Sequence, residues 1–186
     1  RTAAEEVRSA ILTHLSQGYG FLKMIKAGAS PERVMTPDFS TPYGLFSFGV
    51  LPPDDPRLAE VFESMRKVLS TGRGIGRYEN DRFYARGVSG NPWFITTLWY
   101  AEYLIARART ESDLAPVVDI FQWVVDHALP SGALAEQVSA ANGVPCSVAP
   151  LTWSHAAYVH AVIKYFDKLA ELGAVSYTHL RAHETR

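Results

Sequence analysis

WFITTLWYAEYLIA, residues 93–106, is a long apolar run that carries one charged residue, Glu102. Asn91 and Pro92 stand directly before it, and an N-cap residue followed by a first-turn proline is a typical start of a helix. A helix that is apolar around its whole circumference is buried on all sides. The run therefore predicts a helix that other helices must cover.

Outward from this run, the sequence predicts five more helices and no convincing strand. Three stretches keep their apolar positions on one side, and two are uncharged over most of their length. The one-faced stretches are residues 3–16, 56–69 and 114–128, and the uncharged ones are residues 42–50 and 153–172. One-faced and buried helices thus alternate, as the outer and inner helices of a double ring would. The pattern predicts an all-α fold, an α/α toroid.

The connections between these helices differ in length. The links from buried to one-faced helices, residues 51–55 and 107–112, are short, whereas the links into buried helices are long, residues 17–41, 70–90 and 129–150. Because successive helices alternate in direction, all three long loops are expected at the same end. Long loops on a rigid scaffold are where binding and catalytic residues usually lie.

Composition excludes several classes of function. The 186 residues, 47% hydrophobic and 20% charged, suit one globular domain. A net charge of −1 and a pI near 6.7 give no reason to expect nucleic acid or an anionic membrane as partner. Cys146 is the single cysteine, which excludes an internal disulfide and a thiolate metal cluster. His127, His155 and His160 lack metal-ligand spacing, so neither a metal nor a cofactor is expected.

Two of the long loops carry side chains suited to sugars. GRYENDRFY, residues 76–84, mixes aromatic rings with charges, and GALAEQ, residues 132–137, presents one carboxylate, Glu136, in a stretch without other charge. Aromatic rings that cover apolar sugar faces, beside charged groups that bind hydroxyls, predict a carbohydrate pocket. The alternative is that Arg77 and Asp81 pair on a solvated loop while Trp153 fills the core.

Four segments in order, GRYENDRFY, SGNPWFITTLWYAEYL, SGALAEQ and PLTWSHAAYV, resemble the C-terminal half of the catalytic domain of glycoside hydrolase family 15, the glucoamylases and their prokaryotic relatives. The resemblance spans residues 1–173 and implies about six of the twelve helices of an (α/α)6 barrel. It also implies an exo-acting, inverting α-glucosidase that hydrolyses α-glucans or maltooligosaccharides from non-reducing ends. An α,α-trehalase, a glucodextranase or a non-catalytic glucoamylase-like regulatory domain remain alternatives.

The resemblance assigns roles to individual residues. Glu136 would be the general base, and Arg77, Tyr78, Asp81 and Trp153 would bind the substrate. Behind these residues, Ser147 would lie near the base, Gln137 would support it and His155 would approach the pocket. Phe83 and His155 stand where fungal glucoamylases have tyrosine, a feature of the prokaryotic branch. These two departures bear on sugar preference rather than on chemistry.

An inverting glycosidase needs a second carboxylic acid, which the resemblance places in an N-terminal half that the chain lacks. Glu79 and Asp81 are unsuited to donate a proton, because Arg77 and Arg82 lie close by and positive charge lowers a carboxyl pKa. Residues 1–186 are therefore expected to be inactive by themselves. Half a ring is also expected to leave one side of its buried helices, residues 93–106 and 153–166, uncovered. Residues 174–186 resemble a translated sequencing adapter, a non-native tail without function.

Overall fold

The computed structural model describes residues 2–17, 20–28, 30–85 and 90–173 of the chain. The predicted non-native tail, residues 174–186, lies outside the described residues. Within them, no helix combines the length and the apolarity needed to cross a membrane.

Six α-helices follow one another in the described residues, which confirms the predicted number and order. A π-helical turn, Ile11–Leu15, prolongs the first, and a 3₁₀ turn, Glu111–Leu114, leads into the fifth. The helices are α1 (Ala3–Ala10), α2 (Ser40–Ser47), α3 (Pro56–Leu69), α4 (Phe94–Arg107), α5 (Ala115–Asp126) and α6 (Thr152–Glu171).

Helix α4 lies at the centre, as its apolar sequence predicts. Ten of its fourteen residues are buried, and it packs against α2, α5 and α6. Helix α3 covers one side with the predicted stripe, in which Phe62 stacks on Tyr103 of α4 with ring centroids 3.8 Å apart. The burial of α4 on every side, beside one-faced α3 and α5, confirms the middle of the predicted alternation.

The alternation does not extend to both ends of the chain. Helix α2 buries Pro42 and Leu45, while Phe48 directly after it is 84% exposed. Helix α6 buries only small side chains, whereas four large apolar ones on it are more than half exposed: Trp153, Val159, Ile163 and Phe166. The exposed side of α6 agrees with the expectation that half a ring leaves this helix uncovered. The same expectation for α4 was wrong, because α2, α5 and α6 pack around it. The prediction that α2 is buried was also wrong for the described residues, because no described element covers its second face. Helix α1, predicted to bury one face, has no buried residue.

The prediction that the chain lacks strands was also wrong. The described residues include nine strands of two or three residues each, too short for an alternating pattern to show in the sequence. They are β1 (Ser16–Gln17), β2 (Gly20–Phe21), β3 (Met24–Lys26), β4 (Glu32–Val34), β5 (Ser70–Thr71), β6 (Gly74–Gly76), β7 (Pro92–Trp93), β8 (Gln137–Val138) and β9 (Pro145–Cys146). The first four form two hairpins, and the last five form one antiparallel sheet in the order β5-β6-β7-β8-β9.

The five-stranded sheet brings two of the long loops together, as predicted. Strands β5 and β6 come from the loop 70–90, and β8 and β9 come from the loop 129–150. The loop 17–41 joins them through a bridge between Asp38 and Tyr78 and a hydrogen bond of 2.9 Å from Phe39 N to the Arg77 carbonyl. All three long loops therefore meet.

Two predicted helix starts have different outcomes. Asp55 caps α3, because its side chain accepts a hydrogen bond of 2.9 Å from Arg57 N and Pro56 opens the helix. Asn91 does not cap α4, which begins at Phe94 after Trp93. The side chain of Asn91 points instead into the sheet, where it makes long-range hydrogen bonds.

Candidate functional site

The five-stranded sheet holds the predicted site residues in a fixed relation. Trp93 of β7 pairs with Ile75 of β6 on one side and with Gln137 of β8 on the other. Arg77 directly follows β6, Glu136 directly precedes β8, and Ser147 directly follows β9. Residues far apart in the sequence are thus placed by the pairing of β6 and β8 with β7 and of β9 with β8.

Glu136 lies half-buried at a bend, with both its backbone and its carboxylate held. Its N–H donates to the Val148 carbonyl at 2.9 Å, and its carbonyl accepts from Phe94 N at 3.4 Å. Its Oε2 accepts hydrogen bonds from the Ser147 hydroxyl and from Gln137 Nε2, the latter at 3.4 Å. The predicted proximity of Ser147 and Gln137 to Glu136 is therefore observed.

Ser147 and Cys146 shape the surroundings of this carboxylate. Ser147 adopts a φ of +68°, a left-handed conformation that costs an L residue other than glycine about 1 kcal/mol. Burial raises the pKa of the Cys146 thiol, and the nearby charge of Glu136 raises it further. Cys146 is therefore a neutral thiol beside the carboxylate rather than a competing anion.

Asn91 belongs to the site, although its sequence context gave no indication of this role. It is 2% exposed, and its Nδ2 donates to Gln137 Oε1 at 2.9 Å. Its Oδ1 accepts from Ala140 N at 3.1 Å. An asparagine before a proline resembles a helix start, and no local pattern reveals a contact with a residue 46 positions away.

Arg77 and Asp81 pair as the alternative to a sugar pocket supposed, but not on a solvated loop. Arg77 Nε donates to Asp81 Oδ2 at 3.0 Å, and Asp81 is 1% exposed. The guanidinium lies 4.2 Å from the ring centroid of Trp93 and 4.6 Å from that of Tyr78. Asp81 also accepts from Phe83 N at 3.0 Å, so this carboxylate serves to hold Arg77 and its loop.

A further ion pair next to Tyr78 was missed by sequence reasoning. Lys23 Nζ lies 2.8 Å from Asp38 Oδ2 and 4.8 Å from the ring centroid of Tyr78. Asp38 is 6% exposed and also accepts from Ser40 N and the Ser40 hydroxyl, at 2.9 and 2.6 Å. Tyr78 is thus flanked by two cations, Arg77 on one loop and Lys23 on another. A Lys and an Asp 15 positions apart give no sequence signal for such a pair.

Trp153 does not fill the core, as the alternative supposed, because it is 52% exposed. Its ring packs edge-on against Trp99, with centroids 6.0 Å apart, and Trp99 stacks on Tyr43 at 4.4 Å. These three side chains, which we call the aromatic row, extend from the start of α6 to α2.

Three hydrogen bonds tie the start of α6 to the segment just before Glu136. Leu151 N donates to the Leu134 carbonyl at 2.9 Å, and the Ser154 hydroxyl donates to the Ala135 carbonyl at 2.7 Å. His155 Nε2 accepts from Leu134 N at 2.9 Å, which requires the tautomer with a proton on Nδ1. His155 therefore acts behind the site, where it positions the loop that carries Glu136.

The residues present do not form a metal centre among the described parts of the chain, where no group of three His, Cys, Asp or Glu side chains is close enough to hold an ion. The arrangement offers a carboxylate held by two donors, an arginine held between aromatic rings, and an aromatic row whose outer member, Trp153, is exposed. Such a set suits the binding and polarisation of hydroxyl-rich molecules.

Sequence comparison connects this site with known proteins. The sequence model of Glycosyl hydrolases family 15 matches residues 47–163. An uncharacterized glycosyl hydrolase of Methanocaldococcus jannaschii is 32% identical over 124 residues, which are 61% of this chain and 19% of that protein. An isomaltose glucohydrolase of Kribbella flavida is 30% identical over 133 residues, 66% of this chain and 32% of that protein. The chain spans at most about a third of the length of these relatives.

Solved structures share the fold. A wild-type glycosidase superposes with a TM-score of 0.69 at 23% identity, over 87% of this chain and 42% of its own. A bacterial glucoamylase complexed with acarbose gives 0.63 at 19% identity, over 88% and 28%. The glucoamylase of Hormoconis resinae gives 0.62 at 17% identity, over 84% and 36%.

The matched residues 47–163 contain Arg77, Asn91, Glu136 and Ser147, so the match covers the site as well as the helices that carry it. The chain belongs to glycosyl hydrolases family 15.

Proposed function

We propose that this chain is the base-bearing part of an exo-acting, inverting α-glucosidase of the glucoamylase type. The observation that carries the proposal is the carboxylate of Glu136, directly before β8, which is held by the Ser147 hydroxyl and the Gln137 amide. In an inverting hydrolysis, such a carboxylate removes a proton from water while the water oxygen attacks the anomeric carbon.

The Arg77 cluster supports a sugar subsite next to this base. Within the described residues, hydrogen bonds from Arg77 use Nε and Nη2, and acceptors are supplied by Asp81 and Tyr78. The side chain keeps 35% of its surface exposed, so Nη1 can donate to a hydroxyl while the rest of the guanidinium stays fixed. Trp153 and the aromatic row supply an apolar surface of the kind that covers one face of a sugar ring.

The proton for the leaving group must come from a second carboxylic acid. Asp81 is buried and both of its oxygens accept hydrogen bonds, from Arg77 and from Phe83 N, so its carboxyl group is not placed to reach a leaving group. We place the general acid in an N-terminal half outside residues 1–186, in keeping with the 42% of the wild-type glycosidase that the chain covers. The chain joined to that half is called the family-length protein below.

We propose that the substrates include small α-glucosides and are not restricted to long polymers. The relative from Kribbella flavida is named for isomaltose, and one glycosidase of this fold was solved with glucose bound. An exo-acting enzyme takes one terminal glucose at a time, for which one arginine cluster and one aromatic wall suffice. Maltose, isomaltose, trehalose and starch together distinguish a glucoamylase from a trehalase or a glucodextranase.

The test is Glu136→Gln in the family-length protein, which keeps the shape of the side chain and removes the base. Loss of a general base lowers the rate by about 10²–10⁴-fold, while sugar binding should persist. The matched control is Glu60→Gln, the same change at an exposed acid on α3, which should leave turnover unchanged. Full turnover by the Glu136 variant, or release of α-glucose rather than β-glucose in an NMR assay of fresh product, would contradict the proposal.

A further inference from the structure

The side chain of Asn91 connects two loops of the site, and its role goes beyond the general base itself. It is 2% exposed and lies two residues before Trp93, over whose ring the Arg77 guanidinium sits at 4.2 Å. Its hydrogen bonds all cross to the loop that carries Glu136, to Gln137, Ala140 and Cys146.

The direction of these hydrogen bonds is determined by chemistry. The Ala140 N–H can only donate, so the atom of Asn91 that faces it at 3.1 Å is the carbonyl oxygen. Nδ2 must then face Gln137, whose Oε1 accepts at 2.9 Å. With its oxygen engaged, Gln137 presents its NH₂ group to Glu136 Oε2 at 3.4 Å. A backbone amide thereby determines which end of Gln137 meets the carboxylate.

We infer that Asn91 is a positioning residue for the general base, which acts through Gln137 by locking its amide so that the donor end faces Glu136. The inference rests on the proposed function, since it concerns the same carboxylate. Without Asn91, the Gln137 side chain can turn by 180° and present its oxygen, which would repel the carboxylate at the same distance. Gln137 is fully buried, so no solvent is available to restore the donor.

The titration of Glu136 in the 186-residue chain itself measures this effect. Side-chain carboxyl signals of ¹³C-labelled glutamate, followed by NMR against pH, give a midpoint for Glu136. Because Asn91→Ala releases the donor that the relay holds against the carboxylate, the midpoint of this variant should lie at higher pH than that of the wild type. The titratable neighbour that faces Glu136 is the Cys146 thiol, and Cys146→Ser is measured in parallel so that its contribution is known.

A double-variant cycle separates positioning from general loosening of the sheet. In a Gln137→Met background, which removes the relay but keeps the side-chain volume, Asn91→Ala should move the midpoint no further. Thr97→Val is the matched control. Thr97 of α4 is equally buried, its hydroxyl accepts a hydrogen bond of 2.9 Å from Ile75 N of the same sheet, and it makes no hydrogen bond to Glu136. This substitution should lower the melting temperature and leave the midpoint in place.

A shift that persists in the Gln137→Met background, or no shift in either background, would overturn the inference. If Asn91→Ala does not fold, the wild-type chain provides the test. In its pH titration, the NMR signals of the Asn91 and Gln137 side-chain amides should both shift at the pH where Glu136 titrates. An Asn91 amide signal that stays constant across this pH range would also overturn the inference.

The family-length protein supplies a second readout. There, Asn91→Ala should lower kcat about tenfold and leave KM within about twofold, because the base is misplaced while the sugar contacts remain. A chain with the expected titration but no hydrolysis of any glucoside would refute the proposed function and leave the relay from Asn91 intact.

Discussion

Ser147 holds its hydroxyl against Glu136 with a backbone conformation that few L residues adopt. The left-handed φ of +68° costs free energy that a glycine would not lose. The backbone at position 147 favours glycine, yet a serine is present there. This suggests that the hydrogen bond from the serine hydroxyl to Glu136 is the reason for a serine at this position.

Two substitutions of Ser147 in the family-length protein separate these contributions. Ser147→Ala and Ser147→Gly both remove the donor to Glu136, so both should lose activity as the pH falls, with the acidic limb of the kcat/KM profile at higher pH than in the wild type. Glycine accepts the positive φ, so Ser147→Gly should be more stable than Ser147→Ala by about 1 kcal/mol. Urea unfolding and pH–rate profiles measure the two effects. Equal stability of the variants, or an unchanged acidic limb, would contradict this account.

At the scale of elements, strands of two or three residues align the site, and close packing behind them sets their position. Gly74 of β6 is packed between strand β7 and helix α5. A Cβ added to it would lie 2.5 Å from Pro92 Cβ of β7 and 2.6 Å from Trp123 Cζ2 of α5. Strand β6 leads directly into Arg77, so a shift at Gly74 is transmitted to the guanidinium.

Gly74→Ala should therefore destabilise the fold by about 1–3 kcal/mol, since neither a proline ring nor a buried indole can yield without cost. Gly28→Ala is the control, because nothing lies within 4 Å of a Cβ at that exposed position. Thermal unfolding of the two variants makes the comparison. A Gly74→Ala variant as stable as Gly28→Ala would show that the contact between β6 and α5 is loose.

The start of α3 gives a prediction on pH. The hydrogen bond from the Arg57 side chain lowers the pKa of Asp55, which caps the helix. A carboxyl with a lowered pKa contributes stability above its unfolded pKa of about 3.9, and this contribution is lost as the pH falls through the folded value. Asp55→Ala should thus cost about 1 kcal/mol at pH 7 and progressively less below about pH 4.

Asp55→Asn is the matched variant, because asparagine caps a helix without a charge that titrates. Its stability relative to Asp55→Ala should stay constant between pH 7 and pH 3. Chemical unfolding across this range measures all three proteins. A cost of Asp55→Ala that does not change with pH would show that the ionised form of Asp55 is not what stabilises α3.

At the scale of the whole molecule, the described residues leave large apolar side chains on α6 in contact with water, with Ile163 53% and Phe166 59% exposed. Contiguous exposed apolar surface favours association. We expect the 186-residue chain to self-associate as concentration rises. We also expect it to hydrolyse no glucoside by itself, because the proposed general acid lies outside it. Sedimentation and glucose-release assays with maltose, starch and trehalose test both expectations.

The association should fall when Ile163 and Phe166 are both replaced by lysine, and remain when Val118, an equally exposed valine on α5, is replaced in the same way. A monomer at all concentrations would contradict the first expectation. Hydrolysis by the isolated chain that Glu136→Gln abolishes would contradict the second, since it would show that the general acid lies within residues 1–186.

The sequence by itself determined what depends on neighbours along the chain. The stripe of α3 follows from a period of 3.6 residues, and the cap at Asp55 from the residues that follow it. The apolar run of α4 predicted a central helix for the same reason. The relation of Glu136 to Ser147 and Gln137 came from a family resemblance rather than from any period in the sequence.

Only the tertiary structure decided what depends on pairing across long distances in the chain. The sheet of β5–β9, the pair of Lys23 and Asp38, and the reach of Asn91 to Gln137 join residues that no local period connects. The same holds for α4, which was expected to have one side uncovered and is buried, and for α2, which was expected to be buried and is partly exposed. A side chain is buried only where another element covers it, and the sequence of a helix records which faces are apolar but not which neighbours are present.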